Sequence, residues 1–387
     1  MATEKYRLPS PYSRPRCQPP KEDTVYIRHL DDLACNIQHG HVELGVAIFG
    51  IGRAGTIHLT NLIGNRRANI LYIVDDDIEK LQRLKVYWNL KNTTCITSKQ
   101  QDQALKDPKV NFIVCASPTF THENIVKQAI AHKKAVFCEK PIAESIEKAA
   151  NLYELARKAK VPLLSAFNRR FDASYKSVRD RVRAGEVGKV LTVKVCSRDS
   201  PLPSLEYLSI SGGIFHDCAV HDIDQIISVL GEYPIKVCAL AQANIPEIAN
   251  INDVDTVAIT LQFRSGALAA IDLSRQCNYG YDQRLEVFGE KGMIKAENRC
   301  PMQSVEHFLP DRIEGSPIYY SFASRYQEAY RQEMEHFMDV LQGKCNLMID
   351  GKDLLAVSKI ATACEKSYKT GTIVDLKWSP EELPQQQ

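Results

Sequence analysis

The sequence predicts an α/β fold in two parts, a doubly wound parallel sheet followed by an α/β domain with a mostly antiparallel, open sheet. Up to about residue 167, short apolar runs alternate with amphipathic helical stretches. Beyond that point, strand-like runs with period-two alternation follow one another with few helices between them. The length of 387 residues also exceeds what one hydrophobic core usually holds, which favours two domains.

The first half alternates strand and helix at regular spacing. The expected strands are LGVAIFG, NILYIVD, VNFIVCASP, AVFCEKP and VPLLSAFN. The expected helices are TIHLTNLIGN, DIEKLQRLKVYWNL, THENIVKQAIAHKK and SIEKAANLYELARKAK. Because the strands are almost wholly apolar, we expect helices to cover both faces of a parallel sheet.

The second half is dominated by strands. The expected strands are VLTVKVCSRD, IKVCALAQAN, DVDTVAITLQF, GALAAIDLSRQ, QRLEVFGEKG and GMIKAEN. Two helical stretches, RYQEAYRQEMEHFMDVLQG and KDLLAVSKIATACEKSYKTG, finish the chain. We therefore expect an N-terminal extension over residues 1–44, a parallel-sheet domain over 45–167, a second domain over 168–376 and a C-terminal tail over 377–387.

Composition argues against two classes of partner. Hydrophobic residues make up 44% of the chain and charged residues 25%, as in ordinary globular proteins, and the formal net charge is +2. No block rich in Lys and Arg indicates nucleic-acid binding, and no apolar run is long enough to cross a bilayer. We therefore expect no nucleic-acid partner and no membrane association.

The cysteines and the first residues bear on the cellular compartment. Twelve cysteines, spread from Cys17 to Cys364 without a CxxC pair, favour free thiols in a reducing compartment over disulfides. The first twenty residues contain five prolines and no apolar signal-peptide core, so we expect them to be disordered. Arg7, Arg14 and Arg16 leave a mitochondrial transit peptide open, but the prolines oppose an amphipathic helix. Cytoplasm is the expected location.

A glycine pattern lies between the first strand and the first helix. Gly50, Gly52 and Gly55 match GxGxxG, and an acidic cluster that begins at Asp75 ends the next strand, which is the arrangement of a Rossmann dinucleotide site. The three glycines allow, in order, the tight turn, the approach of a pyrophosphate and close packing of helix on strand. The helix N-terminus offers free N–H groups to the phosphates. A glycine turn without a ligand is the alternative.

Asp75 bears on the choice of cofactor. Its carboxylate is placed to accept hydrogen bonds from the adenosine ribose hydroxyls and would repel a 2′-phosphate, so NAD is favoured over NADP. Arg53, beside the loop, could accept that phosphate, which leaves NADP open.

Two other strand ends carry polar residues. FCEKPIA places Lys140 at the carboxyl end of a buried strand, where open α/β sheets bind ligands, although a lysine there could also be an ordinary surface residue. SPTFTHENI leaves the neighbouring strand. Thr121 is a natural N-cap for the helix that follows, or this segment could line a pocket with Ser117, Thr119 and His122.

The stretch SGGIFHDCAVHDIDQ is the densest group of titratable residues. After its glycine pair it predicts one helix that ends at Gly231, with Asp217 and His221 one turn apart on the same face. A carboxylate at that position can orient an imidazole and stabilise its cation, as a general base requires. His216 and Asp222 point away from this face, so no metal cluster is expected. A solvated polar helix face is the alternative.

These segments together resemble the glucose–fructose oxidoreductase/inositol dehydrogenase (Gfo/Idh/MocA) family over about residues 45–376. VAIFGIGRAGTIHLTNL, VCASPTFTHENIVKQAI, AVFCEKPIA, FNRRFDASYKSVRDRVRAGEVGKV and SGGIFHDCAVHDIDQ follow one another in the order of that family. SRDSPLPSLEYLSISGG and SRQCNYGYDQRLEVFGEKGMIKAEN are most similar to its inositol 2-dehydrogenase subgroup. The first 44 residues lie outside the resemblance.

The resemblance implies which residues form the site. The implied catalytic residues are Lys140, Asp217 and His221, with no metal. The implied substrate-binding residues are these three together with Arg169, Arg198, Tyr279 and Tyr281. The expected cofactor-binding residues are Gly50, Ile51, Gly52, Arg53, Ala54, Gly55, Asp75, Ser117, Pro118, Thr119, His122, Glu139 and Lys140. His216 inherits no role, and Asp222 and Asp224 are left to fix the helix or solvate its outer face.

The implied reaction is oxidation of a cyclic polyol by NAD, with myo-inositol converted to 2-keto-myo-inositol. His221 would take the hydroxyl proton, Asp217 would orient the His221 ring, and Lys140 would stabilise the developing alkoxide. The resemblance also implies a homo-oligomer, a dimer or tetramer joined through the second sheet. The alternatives are a dehydrogenase for another cyclitol, a sugar or a dihydrodiol, and a catalytically silent NAD-binding sensor.

Overall fold

The computed structural model describes residues 43–302, 305–349 and 351–384. The expected N-terminal extension, with its proposed disorder or transit peptide, therefore lies almost entirely outside the described residues. From residue 44 onward the chain forms one compact unit.

The first sheet forms from the apolar runs of the first half. Its strands are β1 (Leu44–Phe49), β2 (Ala68–Val74), β3 (Thr94–Ile96), β4 (Val110–Cys115), β5 (Ala135–Cys138) and β6 (Leu163–Ser165). All pair in parallel in the order β3-β2-β1-β4-β5-β6, which confirms the doubly wound Rossmann sheet. The short strand β3 was not expected, because three residues are too few to show a period.

Helices connect these strands as the amphipathic stretches predict. They are α1 (Arg53–Leu62), α2 (Ile78–Tyr87), α3 (Asp102–Lys106), α4 (Thr119–Ala131) and α5 (Ile146–Ala159), with a 3₁₀ turn at Ser98–Gln100. The prediction that Thr121 caps α4 is wrong. That helix starts two residues earlier, after Pro118, and the Thr121 hydroxyl donates back to the Pro118 carbonyl.

The second sheet is mixed and mostly antiparallel, as expected. Its strands are β7 (Val190–Arg198), β8 (Pro234–Gln242), β9 (Thr256–Phe263), β10 (Leu268–Ser274), β11 (Asp282–Gly289), β12 (Gly292–Ala296) and, near the C-terminus, β15 (Val374–Asp375). The order is β12-β11-β7-β10-β9-β8-β15, and β7 with β10 is its parallel pair. Strands β13 (Glu306–Phe308) and β14 (Ile313–Gly315) form a separate hairpin.

The helices of the second half lie mainly on one face of this sheet. They are α6 (Ala173–Arg183), α7 (Leu205–Ile210), α8 (Val220–Leu230), α9 (Pro246–Asn250), α10 (Phe322–Arg325), α11 (Gln327–Leu341) and α12 (Gly351–Thr370). A 3₁₀ turn at Asn168–Phe171 precedes α6, and a π-helical turn at Phe215–Ala219 runs directly into α8. The π turn corrects the expectation of one uninterrupted α-helix in this stretch.

Packing joins the two halves on one side and leaves one sheet face open. Met334 and Phe337 of α11 pack into the apolar cluster beneath the first sheet, beside Phe112 and Phe137. The second sheet buries alternate residues against α8 and α12, while its other face is exposed and carries Leu240, Leu268, Phe288 and Met293. The second sheet is therefore covered on one face only.

Two further observations concern the described residues as a whole. Their ten cysteines are all free thiols, as expected. Among their helices, none combines the length and apolar character needed to cross a membrane.

Candidate active site

A cleft of about 1070 Å³ opens along the carboxyl edge of the first sheet and extends to the second. Open α/β sheets bind ligands at this edge, because strand ends and helix N-termini converge there. The predicted site residues that line the cleft are Arg53, Ala54, Ser117, Pro118, Thr119, His122, Glu139, Lys140, Arg169, Asp217, His221 and Tyr281.

The glycine turn after β1 has the geometry of a dinucleotide loop. Gly50 has φ +86°, and a Cβ on Gly55 would lie 2.0 Å from the Gly50 carbonyl oxygen, so both positions require glycine. A Cβ on Gly52 would meet nothing within 4 Å, so there is open space at the N-terminus of α1. No side chain caps that helix, so its first N–H groups are free for phosphate.

Asp75, at the end of β2, is fixed beside this turn. Oδ2 accepts a hydrogen bond from Ile51 N at 2.7 Å, and Lys80 Nζ lies 2.9 Å from Oδ1. Burial opposes ionisation, but these donors together with the Asp77 N–H hold the pKa of Asp75 below its ordinary value. The carboxylate is therefore an anion at the position expected to bind ribose.

Arg53, on which the NADP alternative rests, lies over two aromatic rings. Its guanidinium carbon is 4.5 Å from the centroid of the Tyr207 ring and 5.8 Å from that of Phe322. The cation next to Asp75 is Lys80. Arg53 thus faces the part of the cleft that Tyr207 and Phe322 line.

His122 joins the two turns that follow β4 and β5. Its Nδ1 lies 2.8 Å from the Pro141 carbonyl oxygen and its Nε2 lies 2.8 Å from that of Ser117. With Cys115 and Cys138 it forms a buried group of possible metal ligands within the described part of the chain. Because both ring nitrogens already face carbonyl oxygens, a metal would have to displace one of these contacts.

Lys140 and Asp217 form an ion pair at the centre of the cleft. Lys140 Nζ donates to Asp217 Oδ1 at 2.9 Å and to the Asp217 carbonyl oxygen at 2.6 Å. Burial disfavours both charges. The attraction of the partners outweighs it, so the pKa of Lys140 is raised and that of Asp217 is lowered. Both groups are therefore charged at neutral pH, and the alternative of Lys140 as a surface residue is wrong.

The expected contact between Asp217 and His221 is not formed. Within the described residues, Nδ1 of His221 is buried and has no hydrogen-bond partner. A π turn at Phe215–Ala219 contributes to this, because a residue inserted into the helix changes the register on which the one-turn spacing relies. Burial, followed by the charges of Lys140 and Arg169, lowers the pKa of His221 well below its ordinary value. His221 is a neutral imidazole next to a fixed cation.

Of the two alternatives for Asp222 and Asp224, a solvated outer face is wrong, because both residues are buried. Asp222 pairs with Arg169 and Asp224 pairs with Arg170 at 2.6 Å. Arg170 is shared with Asp353 at 2.9 Å. These pairs fix α8 to the 3₁₀ turn after β6. The periodicity of the sequence did not predict that Arg169 and Arg170 would be the partners of the two aspartates.

Two predicted substrate residues lie outside the cleft. Arg198 pairs with Asp272 and does not line the cleft. Its Nη1 donates to the Tyr279 hydroxyl at 2.9 Å. Tyr279 is 56% exposed. Side chains alternate along a strand, so Ser197 lines the cleft and Arg198 points to the opposite face of β7. Neither Arg198 nor Tyr279 is therefore among the residues that line this cleft, and their contact with substrate stays a prediction.

Three site residues were missed by sequence reasoning. The Tyr207 hydroxyl donates to Asp217 Oδ1 at 2.8 Å, and Arg275 Nη1 donates to Oδ2 at 3.0 Å. Asp199 lines the cleft, accepts a bond from Ser200 N, and has its pKa raised to about 6 by burial and by the charge of Asp217. Asp199 and Arg275 each follow directly on the end of a strand, which is the one signal the sequence offered for them.

The arrangement can move a proton and hold negative charge. A neutral histidine accepts a proton, and a lysine ammonium stabilises an oxyanion that forms near it. Both groups lie in the cleft that begins at the glycine turn.

Comparison with known proteins agrees with this geometry. Residues 44–167 match the family model described as oxidoreductase family, NAD-binding Rossmann fold, and residues 175–295 match the GFO/IDH/MocA C-terminal domain. Myo-inositol 2-dehydrogenase of Thermotoga maritima is 35% identical over 86% of this chain and 98% of its own length. Inositol 2-dehydrogenase of Rhizobium meliloti is 34% identical over 83% and 95%, respectively. A crystal structure of a myo-inositol dehydrogenase from Corynebacterium glutamicum, 33% identical, covers 87% of this chain and 100% of its own with TM-score 0.79. The chain therefore belongs to the Gfo/Idh/MocA oxidoreductase family, with an NAD-binding Rossmann fold in its first half.

Proposed function

We propose that this protein is an NAD-dependent dehydrogenase that oxidises a secondary alcohol of a cyclic polyol, with myo-inositol converted to 2-keto-myo-inositol. One observation carries the proposal: a buried, neutral His221 lies beside the Lys140–Asp217 ion pair in a cleft that begins at a dinucleotide turn. NAD, when bound, supplies the hydride acceptor.

The chain's own residues have separate roles in this proposal. His221 takes the proton of the reacting hydroxyl, because burial keeps its imidazole neutral. Lys140 donates to the same oxygen and stabilises its developing negative charge. Asp217 keeps Lys140 charged and in place, rather than orienting His221. No step in this mechanism uses a metal.

The polyol class is supported by the polar lining of the cleft. Asp199 has a carboxylate in the cleft, and Asn168, Arg169 and Gln283 add donors and acceptors there. A ring with several hydroxyls can pair with all of these groups. The relatives from Thermotoga and Rhizobium, named as inositol 2-dehydrogenases, favour myo-inositol. A Bacillus subtilis scyllo-inositol 2-dehydrogenase (NAD⁺), 29% identical, favours the epimer as the second candidate.

The preference for NAD over NADP is assigned to Asp75. Its anion would accept bonds from both ribose hydroxyls and repel a 2′-phosphate, and Lys80 is then the cation nearest to it. Replacement of Asp75 by Ser should raise the NADP/NAD ratio of kcat/KM by about 10- to 100-fold, because roughly 1–3 kcal/mol of discrimination is removed. An unchanged ratio would remove Asp75 from this role.

The open face of the second sheet is proposed as the contact of a homo-oligomer, a dimer or a tetramer. It exposes Leu240, Leu268, Phe288 and Met293 on four strands of the sheet. An apolar surface of this kind is typical of a protein–protein interface. Size-exclusion chromatography with light scattering of the wild type and a Leu240→Lys, Phe288→Lys double variant would test the assignment.

The experiment for the proposed function is NADH formation with a panel of substrates. The purified protein is mixed with NAD and, separately, myo-inositol, scyllo-inositol, an aldose and a dihydrodiol. Turnover of myo-inositol with the highest kcat/KM supports the proposal, and a higher value for another polyol assigns that substrate instead. Binding of NAD without turnover of any of them would favour the sensor and contradict the proposal.

A further inference from the structure

Arg275 is a buried cation for which the proposed mechanism has no use. It follows β10 directly, its side chain is 0% exposed, and its backbone N–H donates to the Asp255 carbonyl oxygen at 2.8 Å. The guanidinium bridges two carboxylates. Nη1 donates to Asp217 Oδ2 at 3.0 Å, and Nη2 donates to Asp253 Oδ2 at 3.1 Å. A planar guanidinium fixed in this way has little freedom to turn.

Asp253 connects the bridge to the beginning of the segment that carries Asp217. Its Oδ1 accepts a hydrogen bond from Ile214 N at 3.1 Å, and a Cβ on Gly213 would lie 3.2 Å from the same atom. Gly213 also has φ +83°, so glycine meets both demands. The end of β10 is thereby attached to the start of the π turn.

The Asp217 carboxylate has a donor on each oxygen. Oδ1 accepts from Lys140 and from the Tyr207 hydroxyl, and Oδ2 accepts from Arg275. Nδ1 of His221 is buried without a partner in the described residues, although a carboxylate is on the neighbouring turn. The contact with Arg275 occupies the oxygen that neither Lys140 nor Tyr207 uses.

We propose that Arg275 is a positioning residue that holds the Asp217 carboxylate toward Lys140 and away from His221, so that His221 stays a neutral proton acceptor. The identity of that acceptor rests on the proposed function. The proposal adds a residue that the resemblance did not supply.

Removal of the Arg275 cation acts on His221 in one direction. The charged and titratable groups that face Asp217 are Lys140, Tyr207, Arg275, Cys218 and Asp199. Those that face His221 are Lys140, Arg169 and Asp217. Without Arg275, Oδ2 of Asp217 lacks a donor and can turn toward Nδ1, and its negative field is less compensated. Both changes favour the imidazolium.

The test is a histidine NMR titration of the free protein, since it needs no turnover. The His221 ring signal is identified by its loss in His221→Asn. In the wild type it should stay at the neutral position through the range near pH 6.5 in which an ordinary histidine titrates. In Arg275→Met and Arg275→Gln its midpoint should rise by at least about one pH unit, a tenfold gain in proton affinity. In Arg275→Lys, which keeps a cation, it should return toward the wild type.

Arg170→Met is the matched control, because Arg170 is also buried and pairs with Asp224 of the same helical stretch. It should destabilise the protein without moving the His221 midpoint. Two neutral variants guard against one that fails to fold. A His221 midpoint that is unchanged in both, or that moves as far in Arg170→Met, overturns the proposal.

Kinetics give a second readout once a substrate is known. The acid limb of kcat should move to higher pH in Arg275→Gln, while the KM for NAD stays within about twofold because the glycine turn is untouched. Absence of turnover in the wild type would count against the proposed function only. A fixed His221 midpoint would count against the role of Arg275 only.

Discussion

Asp217 and Asp224 lie two turns apart in one helical stretch, and both are buried and paired with arginine, yet they serve different ends. Asp217 lines the cleft and contacts Lys140 from the first half of the chain. Asp224 does not line the cleft and contacts Arg170, which lies in the 3₁₀ turn packed against α8. Burial raises the pKa of Asp224 in spite of Arg170, whereas Lys140 and Arg275 together overcome burial at Asp217 and lower its pKa.

Residue type and spacing alone therefore do not distinguish a carboxylate of the candidate active site from one that only stabilises the fold. Asp217 differs from Asp224 in having a second cation, Lys140, and in lying beside the open cleft. Asp217 contacts Lys140, which lines the cleft, as well as Arg275, while Asp224 contacts Arg170 outside the cleft lining.

Replacement of His221 by Asn should have the largest effect on turnover. The amide cannot accept the hydroxyl proton, so kcat should fall by about 10²- to 10⁴-fold while NAD still binds. His216→Asn is the control from the same stretch, since His216 is paired with Glu365 at 3.1 Å, and it should stay within about threefold of the wild type. Steady-state NADH formation measures both. Equal losses in the two variants would contradict the assignment.

Replacement of Asp224 by Asn should lower stability more than activity. It leaves Arg170 buried with only Asp353, so the free energy of unfolding should fall by about 3 kcal/mol. The kcat of the folded fraction should stay within a few-fold, because the cleft is unchanged. Urea unfolding and kinetics on the same sample give both numbers. A tenfold loss of kcat at wild-type stability would mean that the two aspartates are not different in kind.

Acid pH should affect KM and kcat separately. Asp199 has a pKa of about 6, so below that pH it is protonated and accepts fewer hydroxyl bonds. KM for the polyol should therefore rise by up to about tenfold per pH unit as the pH falls through 6. The pKa of His221 is lower than its ordinary value, so the acid limb of kcat should begin below pH 6.5. Replacement of Asp199 by Asn should flatten the KM profile, and a profile that persists in it would contradict this role.

Replacement of Tyr279 by Phe should have the smallest effect. Its hydroxyl bonds Arg198 and Asp282 outside the cleft, so KM for the polyol should change by less than about twofold. A KM increase of tenfold or more, measured at saturating NAD, would return Tyr279 to the substrate site.

Sequence patterns predicted the elements and the cofactor turn well, because their signals are local. Period, glycine spacing and the acidic residue after β2 all lie within about 30 residues of one another, as a βαβ unit requires. The resemblance then directed attention to Lys140, Asp217 and His221, and the structure brings all three to one cleft.

The remaining features depend on contacts between distant segments. Arg275 and Tyr207 donate hydrogen bonds to Asp217 from 58 and 10 residues away in the sequence. No helical or strand periodicity of the sequence predicts either contact. The π turn has no signal that separates it from an α-helix, so the one-turn spacing of Asp217 and His221 was misleading. The resemblance implied Arg198 as a substrate residue, and the strand pattern around it gives the alternation of side chains but not which set faces the cleft.

The most direct test of the account is NADH formation from myo-inositol by the wild type and by Lys140→Met, with NAD binding measured on both. The variant keeps the length of the side chain but loses the ammonium that Asp217 holds in the cleft. The account predicts that wild-type turnover falls by about 10²- to 10³-fold in the variant while its Kd for NAD changes by only a few-fold. Turnover within threefold of the wild type in a variant that binds NAD normally would contradict it.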